Sequence, residues 1–503
     1  MATEMEKVAG KKRQRQISLM ELDQEDSEEK LESITDDDTD NTSMKVMKQV
    51  ERIQVKKSAQ LYQLCHTSKS LYNQALYLIN TTLEEKGKWV RYKALYENLK
   101  DSVHYKALPS QTAQQVLILL DRNWKSYFVA HEDWELNPDK YPDEPQLPKY
   151  KPKDGENLII FTNQQCRIKG GVLRFPKKVN LDAIPVNQGR VSTLNQVRIL
   201  PRGIYYIVEI VYEKAVEDYH LPTTRVMGID LGLNNIVAVV NNVGLRPFVV
   251  KGGAIKSINQ FWNKRRAEFQ SMKDQQGLKS ETKRLQRLTW KRNNMITDVF
   301  HKISRALINY CVVNSIGTLV IGYNALWKQN CNIGKKNNQN FVNIPFQKLI
   351  QHLQYKAALI GITVVLVEEM HTSKCSFVDA EPIEHHDQYV GQRGVYNPET
   401  KKVMRGLFKT KDGKIINSDI NGAYNILRKA FPEAIRVDGI EGLGLVPYSL
   451  KLKELNQLNN LNPSVEALLK TAEAADGIEA SGSHPVSTAN STQQSLLKFV
   501  NIE

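Results

Sequence analysis

Residues 225–251 hold three apolar runs of strand length in succession, with no helical pattern between them. Two further runs, 318–322 and 363–367, arrive only after long helical stretches. This order constrains the fold more than any other feature of the chain. "TRVMGIDLGLNNIVAVVNNVGLRPFVV" supplies the first three strands, with Asp230 near the end of the first. Residues 254–314 read as helical, "TLVIG" as a strand and "FQKLIQHLQYKAALIG" as a helix leading into strand 363–367. After a loop, "DINGAYNILRKAF" (419–431) reads as a helix opened by Asp419. Three strands, helix, strand, helix, strand, helix is a mixed α/β sheet.

That is the element order of a ribonuclease H-like domain. Upstream, the apolar period changes twice. "MKVMKQVERIQVKKS" (44–58) alternates as a strand, and the patterns over 59–136 repeat at three and four residues as helices do. A proline-rich connector, "NPDKYPDEPQLPKYKPKDGE", precedes short strands with glycine turns up to residue 224. The expected organisation is a β-barrel-like module (44–58 and 137–224) interrupted by a helical insertion (59–136), followed by the α/β domain. Residues 1–43 and 455–503 have the composition of disordered tails.

Charge points to a polyanionic partner. The chain carries +14, but residues 1–43 hold six Lys/Arg against thirteen Asp/Glu, so that −7 in this segment leaves +21 on the rest. Neutralising phosphates releases counterions, which favours nucleic acid. Residues 251–310 hold fourteen Lys/Arg against four Asp/Glu. Within them, Lys264, Arg265, Arg266, Lys283, Arg284, Arg287, Lys291 and Arg292 are candidate phosphate contacts. Lys335 and Lys336 are two more, in the loop "NIGKKNNQNF". Trp262 and Trp290 suit core anchoring or stacking equally. Tyr62, Asn73 and Gln114 suit packing or base reading equally. "KKRQR" (Lys11, Lys12, Arg13, Arg15) suits a nuclear localisation signal. No apolar run reaches membrane-spanning length, and the first residues lack a secretory h-region. Five scattered cysteines argue for a reducing compartment and against a disulfide framework.

The chemistry lies in acids at element ends. Asp230, the pair Glu368/Glu369 closing "VVLVEE", and Asp419 fall in order within one α/β region. Each alone suits a cap or a surface charge, and Asp419 suits an N-cap. Together, converging carboxylates need cations, and hard oxygen ligands select Mg²⁺ or Mn²⁺. Two such ions support phosphodiester hydrolysis.

"GIDLGLNN", "HKISRAL", "HTSKCS" and "DINGAYNIL" resemble the RuvC nuclease signatures of TnpB proteins and their eukaryotic relatives, the Fanzor proteins. "LYNQALY" and "SQTAQQVLILLDRNWKSYF" extend the resemblance over about residues 45–450. "GIDLG" by itself also suits actin-like ATPases. The resemblance implies an RNA-guided DNA endonuclease with a guide RNA and a double-stranded DNA target as partners, acting as a monomeric ribonucleoprotein. Its RuvC domain would comprise 225–374 and 416–454, and Asp230 and Asp419 would match the first and last catalytic aspartates.

Two departures from the family pattern stand out. The middle glutamate usually ends the fourth strand, where this chain has Gly322 and Tyr323. Fanzor-like members and some TnpB relatives carry it on the next strand instead, just before "TSK". By that resemblance Glu369, three residues before Thr372, is the preferred ligand and Glu368 the alternative; adjacent strand residues face opposite ways, so only one of the pair would aim at the metals. The usual pairs of zinc-binding cysteines are reduced to Cys375, so 375–415 reads as a degenerate, zinc-free insert in which "RGLFKTKDGKIIN" forms a hairpin. Two rival readings remain: a catalytically inactive RNA-guided DNA-binding protein, and a guide-independent RuvC-like nuclease.

Overall fold

The structure, a computed structural model, describes residues 46–187, 191, 193–324, 339, 342–435 and 445–460. Residues 1–45 and 461–503, with "KKRQR", Lys335 and Lys336, lie outside the described residues; residues 455–460, expected in a disordered tail, instead belong to a short 3₁₀ helix (Leu452–Asn460) whose Leu455 and Leu458 are buried in the core. The chain forms two compact units, Met1–Ala215 and Val216–Glu503.

In the first unit, strand β1 (Val46–Lys56) alternates exposed and half-buried residues along its whole length. It pairs antiparallel with β7 (Tyr205–Ala215), which pairs with β6 (Thr193–Pro201), which pairs with β2 (Ile159–Thr162). Three short strands, β3 (Arg167–Lys169), β4 (Val172–Arg174) and β5 (Ile184–Pro185), make a second sheet. Among the described strands no pairing joins these two sheets, and β3–β5 are only two or three residues long.

Helices α1 (Ala59–Lys86), α2 (Tyr92–Leu99), α3 (Val103–Ala107) and α4 (Ser110–Leu136) follow β1. Helix α1 starts where the Ser58 hydroxyl accepts from the Leu61 N–H and stops at Gly87, whose φ of 67° suits glycine. Leu71, Leu76, Leu117 and Trp124 from these helices share one core with Phe161, Val197 and Ile210 of the sheet. Asn73 is a staple rather than a reader: its amide pairs both ways with the Lys151 backbone at 2.9 Å and fixes the proline-rich connector on α1.

In the second unit a six-stranded sheet runs β12-β11-β8-β9-β10-β16. Strands β8 (Val226–Leu231), β9 (Asn235–Asn241) and β10 (Phe248–Lys251) are antiparallel neighbours. On the other side of β8, strands β11 (Thr318–Tyr323) and β12 (Thr363–Glu368) run parallel to it, and β16 (Tyr448–Leu450) adds to β10. The order expected from the apolar runs is the order observed.

Both faces of the sheet are covered. Met227, Ile229, Val237, Val239, Leu319 and Ile321 pack under helices α6 (Lys283–Val313) and α7 (Phe346–Ala358). Val226, Ala238, Val240 and Val249 pack under α8 (Ser418–Ala430). Alternation along β8 therefore puts Asp230 on the α8 face. The same alternation puts Gly322 of β11 on that face.

The apolar run of β12 suggests a strand inside the sheet. It is instead the outermost strand, with exposed and half-buried residues mixed along it, because nothing among the described strands pairs with its far side. Helix α5 (Gly253–Gln275) packs on α6, and the hairpin β13 (Gln392–Asn397), β14 (Lys402–Lys409) and β15 (Ile415–Asn417) precedes α8. No described helix is long and apolar enough to cross a membrane.

Candidate active site

Helix α8 approaches β8 as closely as two backbones allow. A Cβ at Gly228 would sit 2.9 Å from the Ala423 carbonyl oxygen and from Leu427 Cβ, and one at Gly422 would sit 2.9 Å from Asp230 Oδ2. Two glycines thus let the helix descend until its first turn lies over the end of β8. Asp419 sits in that first turn.

Capping the helix was the alternative role for Asp419. The cap is Asn417, whose Oδ1 accepts from the backbone N–H groups of Asp419 and Ile420 at 3.0 and 3.2 Å. The cap's work being done by a neutral amide, the Asp419 carboxylate is available for the site. It accepts from Asn235 Nδ2 at 2.7 Å and from the Arg393 guanidinium at 3.3 Å.

The third acid comes from β12. Gly322 pairs with Val367 and Tyr323 with Glu368, so Glu369 follows on the α8 face and Glu368 on the other. A Cβ at Gly322 would collide with Glu369 Oε1 and with Ile426 Cδ1. The Glu369 carboxylate therefore fills the space that a side chain at 322 would need. Its backbone is fixed on both sides: Glu369 N–H donates to Tyr323 O at 3.2 Å, and its carbonyl accepts from Thr372 Oγ1 at 2.9 Å. Glu368 is exposed, and its carbonyl accepts from Lys429.

Asp230 feels both other acids. Burial first, then Glu369, then Asp419 push its carboxyl well above the usual range, and Arg393 opposes them. Neither Arg393 nor Asn235 had a role in the sequence reading. Arg393 lies 26 residues from Asp419 in an unremarkable hairpin, so no sequence signal marks it. Asn235 stands inside "GIDLGLNN", and that placement was the available clue. Among the described residues no three His, Cys, Asp or Glu side chains are gathered tightly enough to hold an ion as they stand. The carboxylates are neighbours held slightly apart, and their hard oxygens match the donor set of Mg²⁺ or Mn²⁺.

The insert after β12 is stapled by amides. Asn421 accepts from Phe377 N–H at 2.9 Å and donates to Cys375 O at 2.8 Å. Asn425 donates to Thr372 O and Cys375 O at 2.9 and 2.7 Å. Glu381, 2% exposed, accepts from the N–H groups of Ser376 and Val390 at 2.6 and 2.7 Å. Phe377 stacks on Tyr424 with ring centres 4.6 Å apart. The Cys375 thiol is buried, with its pKa pushed up chiefly by that burial. "RGLFKTKDGKIIN" is indeed a hairpin, made of β14 and β15.

The basic residues of α5 and α6 divide into two groups. Lys264, Arg266, Lys283, Arg284, Arg287 and Lys291 are exposed. Arg265 is half-buried and bonded to Glu268 at 2.5 Å. Arg292 is spent inside the protein, bonding Asn259, Asn293 and the Asn343 carbonyl. The Trp262 ring lies between the guanidinium groups of Arg266 and Arg292 and donates to Thr289, joining α5 to α6. In the first unit, Gln111, Gln164, Lys106 and Lys178 line a cleft of about 550 Å³ at the start of α4.

Comparison with known proteins gives two family matches. Residues 209–328 match the OrfB_IS605 family, described as "probable transposase", and residues 346–426 match the Cas12f1-like TNB domain. A TnpB-like protein, ORF457 of Acidianus two-tailed virus, is 24% identical over 418 residues, covering 74% of this chain and 83% of that protein. The CRISPR-associated endodeoxyribonuclease Cas12f1 of Syntrophomonas palmitatica is 23% identical over 351 residues, covering 64% and 68%. Among solved structures, a chain of a Cas12f1–sgRNA–target DNA complex is similar at a TM-score of 0.45 and 13% identity, covering 73% of this chain and 81% of that one.

Proposed function

We propose that this chain, which belongs to the TnpB and type V effector family, is an RNA-guided DNA endonuclease with a single RuvC site on a ribonuclease H-like sheet. One observation carries the reading. Asp230, Glu369 and Asp419 converge on one face of the sheet, and Glu369 occupies the space vacated at Gly322.

In this reading the three carboxylates bind two divalent cations, Mg²⁺ or Mn²⁺. When bound, the ions supply an activated water and a counter-charge for the leaving oxygen. The protein's part is positional. Thr372 fixes the backbone of Glu369, Asn235 orients Asp419, and Gly422 lets Asp230 sit against α8. Arg393 neutralises part of the acidic cluster and stands ready to donate to a phosphate oxygen.

Base pairing with a guide RNA would select the target, and the protein would read backbone shape and a short flanking motif. The first unit serves as guide and motif binder, with its helical insertion as the recognition part. The amides and ammonium groups of its cleft suit base edges and phosphates. Exposed lysines and arginines of α5 and α6 suit the guide–target duplex. The active form is a monomeric ribonucleoprotein, imported into the nucleus through "KKRQR".

Sequencing the nucleic acid bound to the purified chain tests this directly. A discrete RNA is expected, and the complex should cut a matching duplex with Mg²⁺ while Asp230→Asn does not. A preparation carrying no discrete RNA sinks the guided reading.

A further inference from the structure

Asn235 opens β9 directly after the tight turn that follows Asp230, and it is 5% exposed. Its position is rigidly set. Gly252 N–H donates to the Asn234 carbonyl at 2.8 Å, and a Cβ at Gly252 would sit 3.2 Å from that same oxygen. Its amide orientation is set as well, because only the N–H side can donate to Asp419 Oδ2, at 2.7 Å. The other half of the amide, Oδ1, is buried and accepts no hydrogen bond within the protein. Oxygen and nitrogen share one carbon, so this oxygen belongs to the same cluster as the Asp419 carboxylate. A buried acceptor left without a donor is an expensive arrangement.

Beside it stands the Asp419 carboxylate, one of three acids that share the site. A hard cation takes six or more oxygens and readily accepts the carbonyl oxygen of an asparagine. A neutral oxygen adds a ligand without adding a fourth negative charge to a crowded site.

We propose that Asn235 is a cation ligand through its buried Oδ1, while its amide N–H holds Asp419. The inference rests on the carboxylate cluster being a cation site, and the experiment separates the two ideas. Mn²⁺ binding is measured by titration calorimetry on the full chain freed of nucleic acid, comparing wild type, Asp230→Asn, Asn235→Ala and Asn235→Asp. Wild type should bind and Asp230→Asn should not. Asn235→Ala should weaken binding by about tenfold or more. Asn235→Asp keeps the oxygen but cannot donate to Asp419, and should bind at least as tightly as wild type.

If wild type does not bind Mn²⁺, or Asp230→Asn binds as wild type does, the cluster itself is not a cation site, and this inference falls with it. If the cluster binds but Asn235→Ala matches wild type, the oxygen holds no more than a water and only the Asn235 assignment is overturned. If Asn235→Asp loses as much as Asn235→Ala, the residue only orients Asp419. Should Asn235→Ala fail to fold, the aspartate variant decides between the last two roles.

Discussion

The carboxylate of Glu369 occupies the space that a side chain at Gly322 would fill. Glu369 lies two residues beyond Val367, the register partner of Gly322, and the empty position is as necessary as the filled one. Gly322→Ala should therefore displace Glu369 and Ile426, cost about 1–3 kcal/mol of stability and reduce cleavage at least tenfold. Glu369→Gln should abolish cleavage and spare target binding, and Glu368→Gln should change neither. The exchanged double variant, Gly322→Glu with Glu369→Gly, should recover cleavage relative to either single change. Plasmid cleavage and thermal melting read all of these outcomes.

Burial and two neighbouring acids lift the pKa of Asp230, so proton binding favours the folded chain. That stabilisation is complete below the unfolded carboxyl's pKa of about 4 and is lost as pH rises through the higher folded value. In chelator, the melting temperature of wild type should fall more than that of Asp230→Asn as pH rises above about 4. Added Mg²⁺ should raise it most at the upper end. Equal pH dependence of the two proteins would refute the electrostatic account of the cluster.

Lys356 is 7% exposed and donates to His301 O at 2.9 Å and Ser304 Oγ at 2.7 Å. Burial chiefly lowers its pKa to about 7, and its charge in turn helps lower that of His301 to about 4. A lysine whose folded pKa is depressed costs stability fully below that value, and the cost fades as pH rises toward the unfolded value of about 10.4. Lys356→Met should raise the melting temperature, most clearly at or below neutral pH, with the gain shrinking in alkali. A uniform loss at every pH would mean that its hydrogen bonds outweigh its desolvation.

The exposed cations of α5 and α6 should behave differently from the buried one. Lys264→Ala, Arg287→Ala and Lys291→Ala should each weaken guide–target binding and reduce the salt slope by about one. Arg292→Ala should lower the melting temperature and leave the slope unchanged, because its guanidinium bonds Asn259 and the Asn343 carbonyl. Filter binding across a salt series separates the two classes.

Glu381 satisfies two backbone N–H groups of the insert. Glu381→Ala leaves both donors buried and should cost about 3 kcal/mol. A zinc-selective chelator should leave wild-type melting unchanged, whereas loss of the melt's cooperativity in that chelator would point to a metal in the insert.

Much of the nuclease half could be read from residue order. Asp230 and Asp419 stood out as acids at element ends and Glu369 through the family resemblance; which face each acid takes became visible only from the strand register. The cap at Asn417 was missed because Asp419 looks equally competent at that position. Arg393 was beyond reach, since only hairpin geometry brings residue 393 to residue 419. The exposure of β12 was missed for a related reason: an apolar run does not reveal whether a further strand lies beyond it. In the first unit, alternation located the strands but not their closure, which depends on lengths and edges that local pattern does not encode.

That edge position has a thermodynamic corollary. Among the described strands, β11 has a neighbour on each side and β12 on one. An acid carried by β12 rides on an element that frays more readily than the sheet's interior. The fraction of molecules with a complete site is therefore tied to the local opening equilibrium of an edge. A polymer lying along that edge and lending it hydrogen bonds would close the equilibrium, so that substrate engagement and assembly of the catalytic acids become a single linked event.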